Sequence, residues 1–259
     1  MERPKPSDIQ KIERLCVETF VNRIDMGQAA AWDVAQQIQI CAARQPHVRM
    51  VFAAAPSQNE FLAALAAWPD LPWDRVLAFH MDEYVGLDGN APQGFGNFLR
   101  ERLFDLVHPG QVSYLNGNTS DPAAECKRYA SLLNKKPIDI VCAGIGENGH
   151  MAFNDPHVAD FQDPETVKLV TLDPICREQQ VHDGAFGHLD QVPTLALTMT
   201  MPALMSAERV YCIVPGPTKR EAVTRTLQET ISIDCPATIM RQHSSAVLYI
   251  DDDAAAGLT

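Results

Sequence analysis

Four short segments of the chain carry side chains able to do chemistry on a small polar ligand. Asp82 and Glu83 stand together just after the apolar run Val76-Leu77-Ala78-Phe79. A carboxylate at the end of such a run, partly withdrawn from water, can act as a base toward a carbon acid. Adjacent residues on a strand point to opposite sides, so only one of the two acids can face a ligand directly. His150 follows the loop Gly144-Ile145-Gly146-Glu147-Asn148-Gly149, and Asp155 lies a few residues beyond it. A histidine held by a carboxylate can move protons near neutral pH. The glycines let backbone approach a ligand closely and expose N–H groups to it. Ala55-Pro56-Ser57-Gln58-Asn59 and Pro215-Gly216-Pro217-Thr218-Lys219 each stand between a strand and a helix start. Free N–H groups and the helix dipole favour an anion there. Ser57 adds a hydroxyl and Lys219 an ammonium, against the plainer reading of a helix cap and a surface charge.

Other chemistry fits these residues less well. Gly144, Gly146 and Gly149 match the Gly-x-Gly-x-x-Gly spacing, but mid-chain, and Asn154-Asp155-Pro156 breaks any helix that would follow. A dinucleotide fingerprint needs that helix. No Gly-x-Ser-x-Gly elbow of a serine hydrolase occurs. His80, Asp82, His150 and Asp155 lack a metal-ligand spacing.

These segments need a scaffold that brings them to one place. Short apolar runs at 48–55, 75–80, 138–143, 209–214 and 246–250 read as buried strands, with further strands expected at 112–115, 167–172 and 195–201. Helices are expected at 61–68, 96–106, from Asp121-Pro122 to about Leu133, at 218–227 and at 237–243, and residues 7–45 read as one or two helices. The three-glycine stretch 86–94 reads as a loop and Asn116-Gly117-Asn118 as a turn. Strands separated by helices imply a mostly parallel sheet with helices on both faces. In such a sheet ligands bind beyond the carboxyl ends of the strands, where all four segments fall. No long linker or internal repeat appears, so 1–259 is expected to form a single domain.

Composition narrows the partners. With 259 residues, 46% of them hydrophobic, the chain can bury a sizeable core. A net charge of -12 repels nucleic acid and anionic lipid, so no nucleic-acid or membrane partner is expected. No apolar run approaches the roughly 20 residues of a membrane span. The start, Met1-Glu2-Arg3-Pro4-Lys5-Pro6, lacks the apolar core of a signal peptide. Seven scattered cysteines with no Cys-x-x-Cys argue against a disulfide framework or a zinc site and fit a reducing, cytoplasmic setting. Self-association into a homo-oligomer is compatible with all of this.

The same residues carry a resemblance. Phe79-His80-Met81-Asp82-Glu83-Tyr84-Val85-Gly86-Leu87 resembles a signature block of the glucosamine-6-phosphate deaminase/isomerase family. Leu115-Asn116-Gly117-Asn118 is similar to its next block, and Gly144-Ile145-Gly146-Glu147-Asn148-Gly149-His150-Met151-Ala152-Phe153-Asn154-Asp155-Pro156 to its catalytic loop. Val192-Pro193, Ala196-Leu197-Thr198 and 216–219 follow in the family's order, so the likeness spans roughly 48–250.

The resemblance implies an α/β fold, a three-layer α/β/α sandwich with a mostly parallel sheet, shared with sugar lactonases. It implies an aldose-ketose isomerisation with loss of ammonia, converting glucosamine 6-phosphate or a related amino sugar to fructose 6-phosphate. Asp82 would be the base between C2 and C1, and His150 would assist ring opening, with Asn148 and Asp155 around it. Ser57 and Lys219 would hold the phosphate of a small-molecule sugar phosphate, and Gln58, Glu83 and Gly146 would line the substrate. No metal or organic cofactor is implied. The rivals are a 6-phosphogluconolactonase-like lactone hydrolase and a catalytically silent sugar-binding sensor. The block at Asp82 and the continuation Ala152-Phe153-Asn154 favour the deaminase side.

The chain also departs from the family. The usual Thr-Gly-Gly-Ser/Thr-Pro phosphate loop is replaced by Ala55-Pro56-Ser57-Gln58-Asn59. The phosphate-binding arginine expected before Val192 is absent, since no Lys or Arg lies between Arg177 and Arg209, and Ala185 or Phe186 stands in that neighbourhood. Asn148 takes the place of a frequent carboxylate, and Asp155 that of a glutamate.

Overall fold

The computed structural model describes residues 2–258. Its strands are β1 (Asp8–Ile12), β2 (Leu15–Phe20), β3 (Val48–Phe52), β4 (Val76–His80), β5 (Asp82–Tyr84), β6 (Gln111–Ser113), β7 (Ile140–Ala143), β8 (Val167–Thr171), β9 (Leu195–Met199), β10 (Arg209–Val214) and β11 (Ala246–Asp251). Eight of them form one sheet in the order β1-β2-β11-β10-β7-β3-β4-β6. Every pairing in it is parallel except β1 with β2.

Alternation along the strands explains the layers. Val51, Phe79, Val141, Cys212 and Leu248 pack into one apolar cluster with Tyr129 and Leu133 of the helix Pro122–Leu133 and Val223 of the helix Arg220–Gln228. Met50, Phe52, Ile140, Cys142 and Ile213, their neighbours along the same strands, pack into a second cluster with Ile38 of the helix Arg23–Arg44 and Leu62 of the helix Asn59–Ala66. Both faces of the sheet are therefore covered, which is why β7 is wholly apolar and β3 and β10 are apolar apart from Arg49 and Arg209, without alternation. Each such side chain removed from water contributes about 1.5–3 kcal/mol. The result is the three-layer arrangement expected from the sequence.

Chain order reverses inside the sheet. From β3 the chain steps outward through β4 to β6, whereas from β7 it steps the other way through β10 to β11. The crevice between the carboxyl ends of β3 and β7 is thus the switch point where an open parallel sheet binds ligands. Phe52 sits level with Cys142, and Cys142 with Tyr211, so the segments leaving β3, β7 and β10 emerge side by side.

Three expectations need correction. Residues 8–20 form the hairpin β1–β2 rather than a helix, and helix begins only at Arg23. Leu15 and Val17 are buried while Cys16 and Glu18 are half-buried, a period of two that the apolar count along 7–45 obscures. Second, β8 and β9 leave the main sheet and pair antiparallel with β5. Third, residues 174–182 form a helix that its composition hides, because its buried positions are Cys176, Gln179 and Gln180. Asp173 caps it by accepting from Ile175 N, as Asp121 caps the helix at Pro122 by accepting from Ala124 N.

The turn at Gly117 presses directly on β5. A Cβ at Gly117 would lie 1.8 Å from the Tyr84 carbonyl oxygen and 3.1 Å from Glu83 Cγ. Only glycine permits that approach, and Gly117 O also accepts from Gly86 N at 2.9 Å. Gly117→Ala is expected to cost about 1–3 kcal/mol in urea unfolding, as overpacking does. A variant as stable as the parent would show that the turn does not bear on β5.

Candidate active site

A cavity of about 430 Å³ opens at the switch point. Segments leaving four strands of the main sheet line it: Ser57 and Gln58 after β3, Asp82 after β4, Gly146 and His150 after β7, and Lys219 after β10. All six were candidates from sequence, and the fold brings them together.

The backbone turns sharply between β4 and β5, and His80 locks that turn. Its Nε2 accepts from Leu115 N at 2.9 Å, so its Nδ1 carries the proton and donates to the Asp82 carbonyl at 2.8 Å. Burial lowers its pKa to about 4, which keeps the ring neutral. His80 is thus committed to backbone at both nitrogens and is not available to a metal.

Beyond it, β5 sends its two acids to opposite sides, as strand geometry requires. Asp82 faces the cavity, buried, and its carboxylate accepts no hydrogen bond among the described residues. Burial, and then the nearby charge of Glu83, hold its pKa well above the ordinary carboxylate range. Glu83 faces away. Its carboxylate accepts from Tyr84 N, Phe95 N and Gly96 N at 2.9–3.0 Å and so caps the helix starting at Phe95. Glu83, expected to line the substrate, is not among the residues lining this cavity, and its oxygens are spent on backbone.

The loop 144–156 holds the histidine. Nδ1 of His150 lies 2.8 Å from Asn148 Oδ1 and 2.9 Å from Asp155 Oδ1, and Asn148 Nδ2 donates to Asp155 at 2.9 Å. Two oxygen acceptors at Nδ1 assign a proton to that nitrogen and leave Nε2 as the free edge of the ring. Asn148 does not line the cavity, yet it joins the histidine to the acid as expected. Asp155 is fully buried. Burial alone would raise its pKa, but attraction to His150 and hydrogen bonds from His150 and Asn148 bring it below the usual value. A Cβ at Gly146 would lie 2.1–2.4 Å from three atoms of the His150 ring, so the imidazole lies flat on a glycine that could not be another residue.

Lys219 is buried at the cavity wall without a hydrogen bond or ion pair among the described residues. Burial lowers its pKa, with Asp183 and Glu147 acting in the opposite sense. Ser57 Oγ accepts from Gln58 Nε2 at 3.1 Å, and that amide also donates to the Ile213 carbonyl.

The sequence reading missed part of the wall. Gln179, Gln180 and Asp183 enter from the helix Pro174–His182, and Arg102 from the helical stretch after Phe95. Gln179 Oε1 accepts from Glu147 N at 2.8 Å and Gln180 Oε1 from Tyr84 Oη at 2.6 Å, which ties this helix to both the His150 loop and the strand of Asp82. The cap Asp173-Pro174 was the available signal. Among the described residues, the one grouping of metal-ligand side chains is His150, Asp155 and Cys176, with donor atoms within 4.8 Å of one another. A cation there would have to displace the hydrogen bonds that orient His150.

The raised pKa of Asp82 has a consequence for stability. Between its unfolded and folded pKa values the folded chain holds a proton that the unfolded chain releases, so stability falls as pH rises through that window. Asp82→Asn removes this penalty. It is expected to unfold at higher denaturant than the parent near pH 7 and to lose that advantage below the ordinary aspartate pKa of about 4. A difference that does not vary with pH would contradict the desolvation of Asp82.

Comparison with known proteins follows this geometry. Residues 22–249 match the family described as glucosamine-6-phosphate isomerases/6-phosphogluconolactonase. A glucosamine-6-phosphate deaminase of Exiguobacterium sp. strain AT1b is 36% identical over 185 residues, which cover 71% of each chain. One from Listeria monocytogenes serotype 4a is 32% identical over 199 residues, covering 77% of this chain and 83% of that one. Among solved structures, a monomeric glucosamine-6-phosphate deaminase superposes with a TM-score of 0.85 at 29% identity, over 93% of this chain and 99% of that one. A 6-phosphogluconolactonase from Shewanella baltica, at 16% identity and a TM-score of 0.77, shares the fold, over 93% of this chain and 98% of that one. No helix among the described residues is long and apolar enough to cross a membrane. The chain belongs to the family of glucosamine-6-phosphate isomerases and 6-phosphogluconolactonases.

Proposed function

We propose that this chain, acting as one domain, converts glucosamine 6-phosphate or a closely related amino-sugar phosphate and water to fructose 6-phosphate and ammonia. The observation that carries this reading is the presence, in the lining of one cavity, of a buried carboxylate with no hydrogen bond from the described residues and an imidazole whose Nδ1 is anchored. The deaminases it resembles, at 32–36% identity, support the choice of substrate.

Each group has a step. His150 Nε2 takes the proton of the anomeric hydroxyl and returns one to the ring oxygen, which opens the sugar to its aldehyde. The Asp155 and Asn148 oxygens at Nδ1 stabilise the imidazolium formed in passing. Asp82 then takes the C2 proton; the electron pair left behind forms the C1–C2 double bond of an enolamine as the aldehyde oxygen gains a proton. Asp82 returns the proton to C1, leaving a C2 imine that water hydrolyses to the ketone with release of ammonia. A carboxylate whose pKa is raised by burial is a stronger base toward carbon than one in water, provided it is ionised at the working pH. Ser57 and Lys219 hold the phosphate, and Gly146 and Gln58 keep the floor of the cavity close to the sugar. The reaction is redox-neutral: the proton that Asp82 takes from C2 is the one it returns to C1, and solvent supplies the proton gained by the aldehyde oxygen and the water of imine hydrolysis.

Ammonia release from glucosamine 6-phosphate, with solvent deuterium entering the substrate at C2, is the expected activity. Asp82→Asn is expected to lower both by about a hundred- to ten-thousand-fold, the range for a general base, while the sugar phosphate still binds. Wild-type exchange in that variant would remove Asp82 from the role. Hydrolysis of a sugar-phosphate lactone without ammonia release from any amino sugar would replace the reading by a lactonase. His150→Gln is expected to slow the cyclic sugar more than an open-chain analogue, since only the former needs ring opening. Equal losses on both would leave His150 with no part in that step.

A further inference from the structure

The cavity wall carries a second cation besides Lys219. Arg102 lines it from the helical stretch 95–107. Most other arginines are spent elsewhere: Arg3 on Asp33 and Glu18, Arg23 on Glu60, Arg128 on Glu125, Arg241 on Glu13. Arg102 is held differently. Its Nε donates to Asn59 Oδ1 at 3.0 Å, and its guanidinium carbon lies 4.3 Å over the Phe98 ring. These contacts fix the plane of the fork without neutralising it. The one carboxylate in reach is its neighbour Glu101, at 3.4 Å and 75% exposed, a pairing that solvent screens to little.

Two further observations bear on this fork. Asn59, its anchor, lies two residues beyond Ser57, so Arg102 hangs over the turn from which Ser57 enters the cavity. The stretch Arg100–Phe104, with Arg102 at its centre, is a π-helical turn between α-helical residues Phe95–Leu99 and Asp105–Val107. Such a turn costs regular hydrogen bonding, rotates the side chains it carries, and is found most often at functional sites.

We infer that Arg102 is a specificity-determining residue of this site, taking the phosphate of the substrate by a two-pronged contact alongside Ser57 and Lys219. A planar fork stacked on an aromatic ring is suited to bidentate recognition of phosphate, as a lysine is not. Asp82 then faces the carbon that loses its proton, while Arg102 and Lys219 are the two cations of the cavity lining that can meet the anionic end. This rests on the proposal that the substrate is a sugar phosphate, and it assigns the recognition of that group to a residue from the stretch 95–107, outside the expected phosphate segments.

The test is Arg102→Gln and Arg102→Lys, each compared with the parent on glucosamine 6-phosphate and on glucosamine, with calorimetric binding of glucosamine 6-phosphate and of inorganic phosphate. Arg102→Gln is expected to raise KM for the phosphorylated sugar at least tenfold with kcat little changed, to weaken both calorimetric titrations, and to leave KM for the free sugar as it was. Arg102→Lys recovers part of the charge but not the fork and falls between. Unchanged KM and unchanged phosphate binding in Arg102→Gln would overturn the inference, as would equal losses on both sugars. A parent that releases no ammonia strikes the proposed reaction instead, and the calorimetric comparison still decides the role of Arg102.

Discussion

A buried carboxylate that receives no hydrogen bond from the described residues is the constraint on which the rest of this structure turns. Asp82 is buried with its oxygens uncommitted, and nothing in ordinary folding energetics favours that arrangement. The surroundings make it possible by satisfying everything around it. His80 gives its proton to the Asp82 carbonyl and accepts from Leu115, and Tyr129 Oη donates to the His80 carbonyl and accepts from His80 N. Glu83, which would otherwise compete for the same space and charge, is drawn off by three backbone N–H groups. Burial raises the pKa of both acids, but the three N–H contacts offset part of that for Glu83 and make it structural, while Asp82 has no such contacts and is left facing the cavity.

The opposite wall of the cavity solves a different problem, that of holding an imidazole without occupying its working nitrogen. The loop 144–156 does this within a dozen residues. Gly146 supplies a surface on which the ring lies, Asn148 and Asp155 take Nδ1, and Gly149 adopts a positive φ of 86° against Cys235. The Asp82 side depends on long-range packing and the His150 side on local turn chemistry. Their meeting depends only on β3, β4 and β7 being adjacent and parallel, which the register of the sheet enforces.

That division explains what could be read from the chain. Local chemistry was legible: the glycine loop, the Asp121 cap and the apolar central strands all announce themselves by residue type and spacing. The alternation rule also foretold that only one of Asp82 and Glu83 would reach a ligand, though not which. Two kinds of feature were not legible. Residues 8–20 and 174–182 were misread or overlooked because their buried positions are few or polar. Leu15 and Val17 are too short a run to outweigh the following helix, and Gln179 and Gln180 look like solvent-facing residues until the loops they bond are in place. Arg102 was overlooked for another reason: the π-helical turn that carries it has no residue signature, and its anchor Asn59 is distant in sequence.

The account stands on the electrostatic state of one side chain, and that state can be measured directly. Carboxyl-stretch infrared difference spectra between the parent and Asp82→Asn, recorded across pH, isolate the protonation of Asp82 in the folded enzyme. Because burial and the nearby charge of Glu83 disfavour the charged form, the protonated carboxyl band is expected to titrate well above the ordinary aspartate range of about 4. A band that titrates near that ordinary value would contradict it.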